Sequence, residues 1–143
     1  MSKKAAPDNS RKLDQFYTNP KYATEFMACV NERLDLKSAD ILLEPSAGSG
    51  SFYNLLDKKK RLGLDIDPKL TEIQKQDFFK WKPKSKSKII TIGNPPFGKN
   101  ANLAVKFFNH AAKFSDAIAF VLPRTFRKAS IVNRLDKQFH LVY

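Results

Sequence analysis

Asn94-Pro95-Pro96-Phe97 is the sharpest chemical signal in the chain. Two successive prolines hold the backbone extended and remove two N–H donors. What they leave is rich in acceptors: the Asn94 side-chain oxygen and the Pro95 carbonyl. Such acceptors can hold an exocyclic NH₂ group while Phe97 stacks on the attached ring. The bland alternative is a rigid proline turn with a core phenylalanine. A second signal, Glu44-Pro45-Ser46-Ala47-Gly48-Ser49-Gly50, is a turn of small residues. Its glycines allow positive φ and close approach of a ligand to the backbone. A dinucleotide fingerprint wants a third glycine, and Tyr53 stands in its place. Glu44 would repel a pyrophosphate but suits a cationic ligand. Asp65 is suited to a ribose diol, the task such acids perform in nucleotide-binding sheets. Asp77-Phe78 offers a carboxylate and an apolar face to an adenine ring.

Other chemistries find less support. Ser46, Ser49 and Ser51 have no paired base and read as turn residues. His110 and His140 have no partner at ligand or triad spacing. Cys29 is the single cysteine, so neither an internal disulfide nor a Cys/His zinc site is expected, and no metal is called for. No apolar run approaches the ~20 residues of a membrane span. Residues 1–12 are polar and basic, unlike a secretory signal. The expectation is a reduced, cytoplasmic domain with no membrane partner.

These residues need elements to position them. At 143 residues the chain is expected to hold residues 1–12 as a flexible basic arm and residues 13–143 as a single domain. Thr18-Asn19-Pro20 reads as a helix start, with Tyr22, Ala23, Phe26, Met27 and Val30 at helical spacing to about Leu34. Asp40–Glu44 and Arg61–Asp65 read as buried strands, Glu72–Asp77 as a weaker third, and Ser51–Leu56 as a short helix between the first two. Lys88–Gly93 is a β-branched strand. Ala101–Phe114 is amphipathic, Ala117–Leu122 is a strand ended by Pro123, Ser130–Lys137 is a short helix, and Phe139–Tyr143 reads as a last strand. Strands that are nearly continuously apolar and alternate with helices predict an α/β fold, a parallel sheet covered on both faces. Ligands of such sheets bind beyond the carboxyl ends of the strands. Glu44, Asp65, Asp77 and Asn94 all fall at those ends.

Charge points to a polyanion. The formal net charge is +12, and residues 80–143 hold 13 Lys/Arg against only Asp116 and Asp136. Of the 26 basic residues 20 are Lys, a hydrated point charge suited to phosphate more than to base edges. Lys99, Arg124, Arg127 and Lys128 are the candidate nucleic-acid contacts, with Lys99 best placed because it lies two residues past Phe97. The lysines of residues 80–88 are further candidates, with a solvated loop as the alternative.

Together these motifs resemble the S-adenosylmethionine-dependent amino-methyltransferases, especially N6-adenine methyltransferases with the cofactor-contacting motif first; the compact style is similar to stand-alone phage or viral enzymes. The resemblance spans about Leu13 to Lys128. Asp14-Gln15-Phe16-Tyr17-Thr18 matches the opening motif near the methionine end of the cofactor, and Glu44 to Gly50 the glycine-rich motif. Asp65-Ile66 matches the ribose-binding position, Asp77-Phe78 the motif beside the cofactor adenine, and Asn94 to Phe97 the catalytic motif. It implies a Rossmann-like class I methyltransferase sheet whose usual C-terminal hairpin is truncated at Tyr143. It also implies S-adenosyl-L-methionine as cofactor, with Gln15, Phe16, Tyr17, Thr18, Glu44, Ser46, Ala47, Gly48, Gly50, Asp65, Ile66, Asp77, Phe78 and Asn94 around it. Asn94, Pro95, Pro96 and Phe97 are the implied catalytic residues, and Arg124 to Lys128 a substrate-facing loop. The expected activity is methyl transfer to the N6 amino group of adenine in nucleic acid, DNA favoured over RNA. Ribosomal RNA adenine or guanine methyltransferases and protein-glutamine methyltransferases share the tetrapeptide. A truncated, non-catalytic cofactor-binding module, completed by a protein partner that supplies the sheet edge or target recognition, is the alternative of a different class.

Overall fold

The computed structural model describes residues 18–142. Its centre is a five-stranded, wholly parallel sheet of β1 (Ile41–Glu44), β2 (Arg61–Asp65), β3 (Gln74–Lys75), β4 (Ile89–Gly93) and β5 (Ala117–Phe120), in the order β3-β2-β1-β4-β5. Chain order reverses between β1 and β4. In a doubly wound sheet the crossovers leave β1 in opposite directions there, so a crevice opens beyond the carboxyl ends of those two strands.

Side-chain alternation along β1 divides the core into two layers. Leu42, with Ile90 and Ile92, packs against Ala23, Met27 and Val30 of helix α1 (Pro20–Arg33). Leu43, with Leu64 and Ile89, packs on the other face against Phe107 and Ala111 of helix α2 (Asn102–Ala112). The helix start expected at Thr18-Asn19-Pro20 is present: Asn19 Oδ1 accepts the Lys21 N–H at 2.9 Å, and Pro20 opens the first turn, where no N–H is needed. A short helix α3 (Ala129–Val132) buries Ile131 beside Phe126.

Several expected elements are shorter than their sequences suggested; of the helix expected at Ser130–Lys137 only Ala129–Val132 forms, and the strand expected at Ala117–Leu122 ends at Phe120. Ser51–Leu56 forms only a 3-10 turn at Tyr53–Leu55. Its Tyr53 side chain is buried beneath Gly63, where even a Cβ would come within 2.9 Å of the ring. The third strand shrinks to the exposed pair Gln74–Lys75, because among the described residues it pairs with β2 alone. The predicted last strand does not form among the described residues through Val142: Leu141 and Val142 are exposed and pair with nothing. The described sheet therefore ends at β5, whose residues are all half-buried.

Candidate functional site

The carboxyl ends of β1 and β4 bring together residues far apart in sequence. Glu44 ends β1 and Gly93 ends β4. They approach so closely that a Cβ on Gly93, at φ +156°, would lie 3.1 Å from Glu44 Cγ. Glycine at this position lets the buried carboxylate stand at the mouth of the crevice.

Glu44 is 2% exposed, and its Oε2 has no hydrogen-bond partner. Burial drives its pKa well above the ordinary carboxylate value; the backbone of Tyr53 opposes this with a hydrogen bond, and the Asp65 charge adds to it. Asn94 is in the same condition. Its Oδ1 is buried with no partner, while its Nδ2 donates to Thr18 Oγ1 at 3.0 Å. Its carbonyl accepts the Ser46 hydroxyl at 3.2 Å, and Ser51 Oγ donates to the Thr18 carbonyl at 2.7 Å. Three motifs far apart in the chain are thus tied around one cavity of about 30 Å³. Thr18, Glu44, Ser46, Ala47, Gly48 and Asn94 line it as sequence reasoning expected, and so do Ser49, Ser51 and Phe52, which it had assigned no such role. The signal for those three lay in their position inside the turn that follows Glu44.

Asp65 builds the wall behind the glycine turn. Its Oδ2 accepts the Gly48 N–H at 2.7 Å and its Oδ1 the Asp67 N–H at 2.8 Å. Gly48 and Gly50 take positive φ, 51° and 87°, which bends the turn back over the strand ends. At 5% exposure Asp65 holds this loop with both oxygens, so a diol at this position has to share or replace the Gly48 donor. Ile66, just beyond, is exposed.

Other expected site residues are placed differently. Asp77 Oδ1 accepts the Phe79 N–H at 2.9 Å and caps its own 3-10 turn. Phe78 corrects an expectation: it is 2% exposed and packed among Phe107, His110 and Phe114, so its ring face is spent in the core. Phe79, next along, is 39% exposed. Phe97 is half-buried against Ala101, Ala104 and Phe126, and Pro95 is fully buried. The loop after Phe97 is contorted: Gly98, Asn100 and Ala101 all take positive φ before α2 begins. Gln15, Phe16 and Tyr17 lie outside the described residues.

The basic candidates fall into two groups. Lys99, after β4, and Arg124, Arg127 and Lys128, after β5, are exposed on the site's end of the sheet, where the buried Phe126 anchors their segment. Residues 82–88 instead lead into β4 from the opposite end. Among the described residues no group of three or more His, Cys, Asp or Glu side chains could hold a metal ion, and no helix is long and apolar enough to cross a membrane. No protein-family model, curated protein or solved structure matches this chain.

Proposed function

We propose that this chain is an S-adenosylmethionine-dependent methyltransferase acting on the N6 amino group of adenine in a nucleic acid, with DNA the favoured polymer. One observation carries the reading: two buried acceptors without partners, Glu44 Oε2 and Asn94 Oδ1, line one cavity at the reversal point of a parallel sheet. An unsatisfied buried acceptor costs about 1–3 kcal/mol. Both costs are recovered by a ligand that brings N–H donors. Glu44 suits an ammonium group, and Asn94 suits the planar NH₂ of a base.

The residues fit the cofactor on these grounds. Glu44 would take its amino group, the turn from Ser46 to Gly48 would pack against it, and Asp65 would take the ribose diol. When bound, it supplies an electrophilic methyl group. The chain's own residues do the rest. Asn94 Oδ1 and the Pro95 carbonyl accept the two N–H groups of the target amine and aim its lone pair. Pro95 and Pro96 present no competing N–H, and Phe97 holds the base in plane by stacking worth about 1–3 kcal/mol. Asn94 is neutral and orients the amine without taking its proton. Catalysis here is positioning. The base has to leave its stack to reach the cavity, at a cost of a few kcal/mol that is smaller in single strands. A cavity of about 30 Å³ is far below nucleoside size. The cavity would hold only part of such a ligand, and Thr18, which lines it, is hydrogen-bonded to Asn94 and Ser51.

The test is transfer of labelled methyl from the cofactor to single- and double-stranded DNA, RNA and a protein extract. Label recovered as N6-methyladenine from DNA is the expected result. Asn94→Ala should lower the transfer rate by about 10²-fold or more while cofactor affinity stays within a few fold. Label in protein glutamine, or equal loss of binding and transfer in the variant, overturns the assignment.

A further inference from the structure

The parallel register gathers a second basic surface at the end of the sheet remote from the site. Strands β1, β2, β4 and β5 start in line, Ile41 opposite Ile89, Leu42 opposite Arg61 and Ile90 opposite Ala117. The segments leading into them, residues 35–40, 57–60, 82–88 and 113–116, therefore share one end of the molecule. They hold nine lysines and four aspartates, with no arginine and no glutamate.

These segments are fastened to one another. Asp40 N–H donates to the Lys88 carbonyl at 2.8 Å, and Asp40 Oδ2 accepts the Lys88 N–H at 2.8 Å. Lys88 Nζ donates to Ser38 Oγ at 2.8 Å, and Lys60 Nζ to the Lys37 carbonyl. Trp81 anchors the start of the lysine-rich segment, its ring edge-on to Phe114 and its carbonyl bonded to His110 Nε2 at 3.0 Å. Lysines in a wholly mobile loop would carry no such fixed placement.

The charge there is not neutralised. Among the described residues none of the nine lysines forms an ion pair. Asp40, Asp57 and Asp116 accept the backbone N–H groups of Lys88, Lys59 and Ile89. Gathering unpaired like charge costs stability, a cost that a polyanion relieves. Arg61, which opens β2 at the same end, is engaged with Tyr53, donating to its carbonyl at 3.3 Å and lying 4.1 Å over its ring. The cations left to a partner are therefore lysines, which fit phosphate contacts that carry no sequence information. The half-buried Trp81 is spent on Phe114, so this end presents charge without the exposed aromatic or leucine face that insertion into a bilayer requires.

We propose that this amino end of the sheet docks the phosphate backbone of a nucleic acid, separately from the base that enters the site. The inference extends the nucleic-acid reading above but does not depend on methyl transfer, because its readout is binding.

The test compares the full chain with K59Q/K84Q/K86Q/K113Q, four exposed lysines drawn from three of the segments. Anisotropy of a fluorescein-labelled DNA duplex is followed across salt concentration. The variant should lose about 3–4 from the slope of log affinity against log salt, and tenfold or more in affinity at low salt. In the native chain, the duplex should protect those lysines from acetylation, which keeps the test valid if the variant unfolds. That protection should survive in R124Q/R127Q. An unchanged slope, equal acetylation with and without duplex, or protection lost with the arginines overturns the proposal. So does a variant that loses binding to phosphatidylserine vesicles while its DNA slope is unchanged. If these lysines bind duplex but no methyl is transferred, the docking surface stands and the enzymatic reading falls.

Discussion

Glu44 is a carboxylate that the fold keeps out of water, with its pKa held well above the ordinary 4.5 by burial. An acid whose folded pKa is raised binds its proton more tightly in the folded state than in the unfolded one. Its contribution to stability is therefore fully present below about pH 4.5 and is lost as pH rises from there through the folded value. Glu44→Gln should remove that loss. Its Tm should exceed that of the native chain at about pH 8, with the gap closing towards about pH 4. Parallel melting profiles would show that Glu44 ionises freely in the fold. A cationic group bound at Glu44 favours the ionised form, so binding should release a proton, and cofactor affinity should rise with pH across the same window. The Gln variant should bind weakly at every pH. More stable and less able to bind is the signature of a residue kept for its ligand. Residue types alone identified Glu44 and Asn94 as acceptors, but not that each would be buried with an empty lone pair.

The glycine turn keeps its shape through Asp65, which draws the Gly48 and Asp67 N–H groups to one carboxylate at the end of β2. Hydrogen bonds to a charged acceptor are worth about 1.5–3 kcal/mol each. Asp65→Ala should therefore cost about 3 kcal/mol or more in denaturant unfolding. Asp65→Asn keeps one acceptor oxygen and should cost less. Equal losses would mean that packing, not the carboxylate, holds the turn. Phe78 makes the opposite case. It belongs to the layer beneath α2 with Phe107 and Phe114, so Phe78→Ala should cost about 3–5 kcal/mol while leaving cofactor affinity of the folded protein unchanged. A selective loss of affinity with stability intact would return it to the site. Strand-end acids and aromatics look alike in sequence. Which one faces the crevice depends on the 3-10 turn that Asp77 caps, and that turn rotates Phe78 inward and Phe79 outward.

At the scale of the whole molecule the charge excess resolves into two ends of one sheet. Lys99, Arg124, Arg127 and Lys128 lie beside the crevice, and a lysine-rich group lies at the far end, where Arg61 opens β2. Replacing Arg124 and Arg127 with Gln should lower the salt slope of nucleic-acid binding by about 2 and reduce methyl transfer. A slope unchanged by that pair would remove the segment after β5 from the interface. The sequence by itself determined the α/β class, the parallel strands, the bounds of β2 and, within a residue or two, of β1 and β4, and the polar residues Glu44, Asp65 and Asn94 at their ends, because continuous apolar runs between glycine and proline turns admit few other folds. It overstated β3, the helix after β1, the helix after β5 and the last strand. Their length depends on neighbours: among the described residues β3 pairs with β2 alone, and residues 139–142 pair with no strand. The residues alone did not show that Thr18, Glu44 and Asn94 meet, which only the resemblance implied; the tertiary structure brings them to one cavity, adds Ser49, Ser51 and Phe52 to it, and sets the lysine-rich segment at the other end. Strand order and parallel direction are set by long-range pairing, and local sequence does not encode which end of a strand another segment will reach.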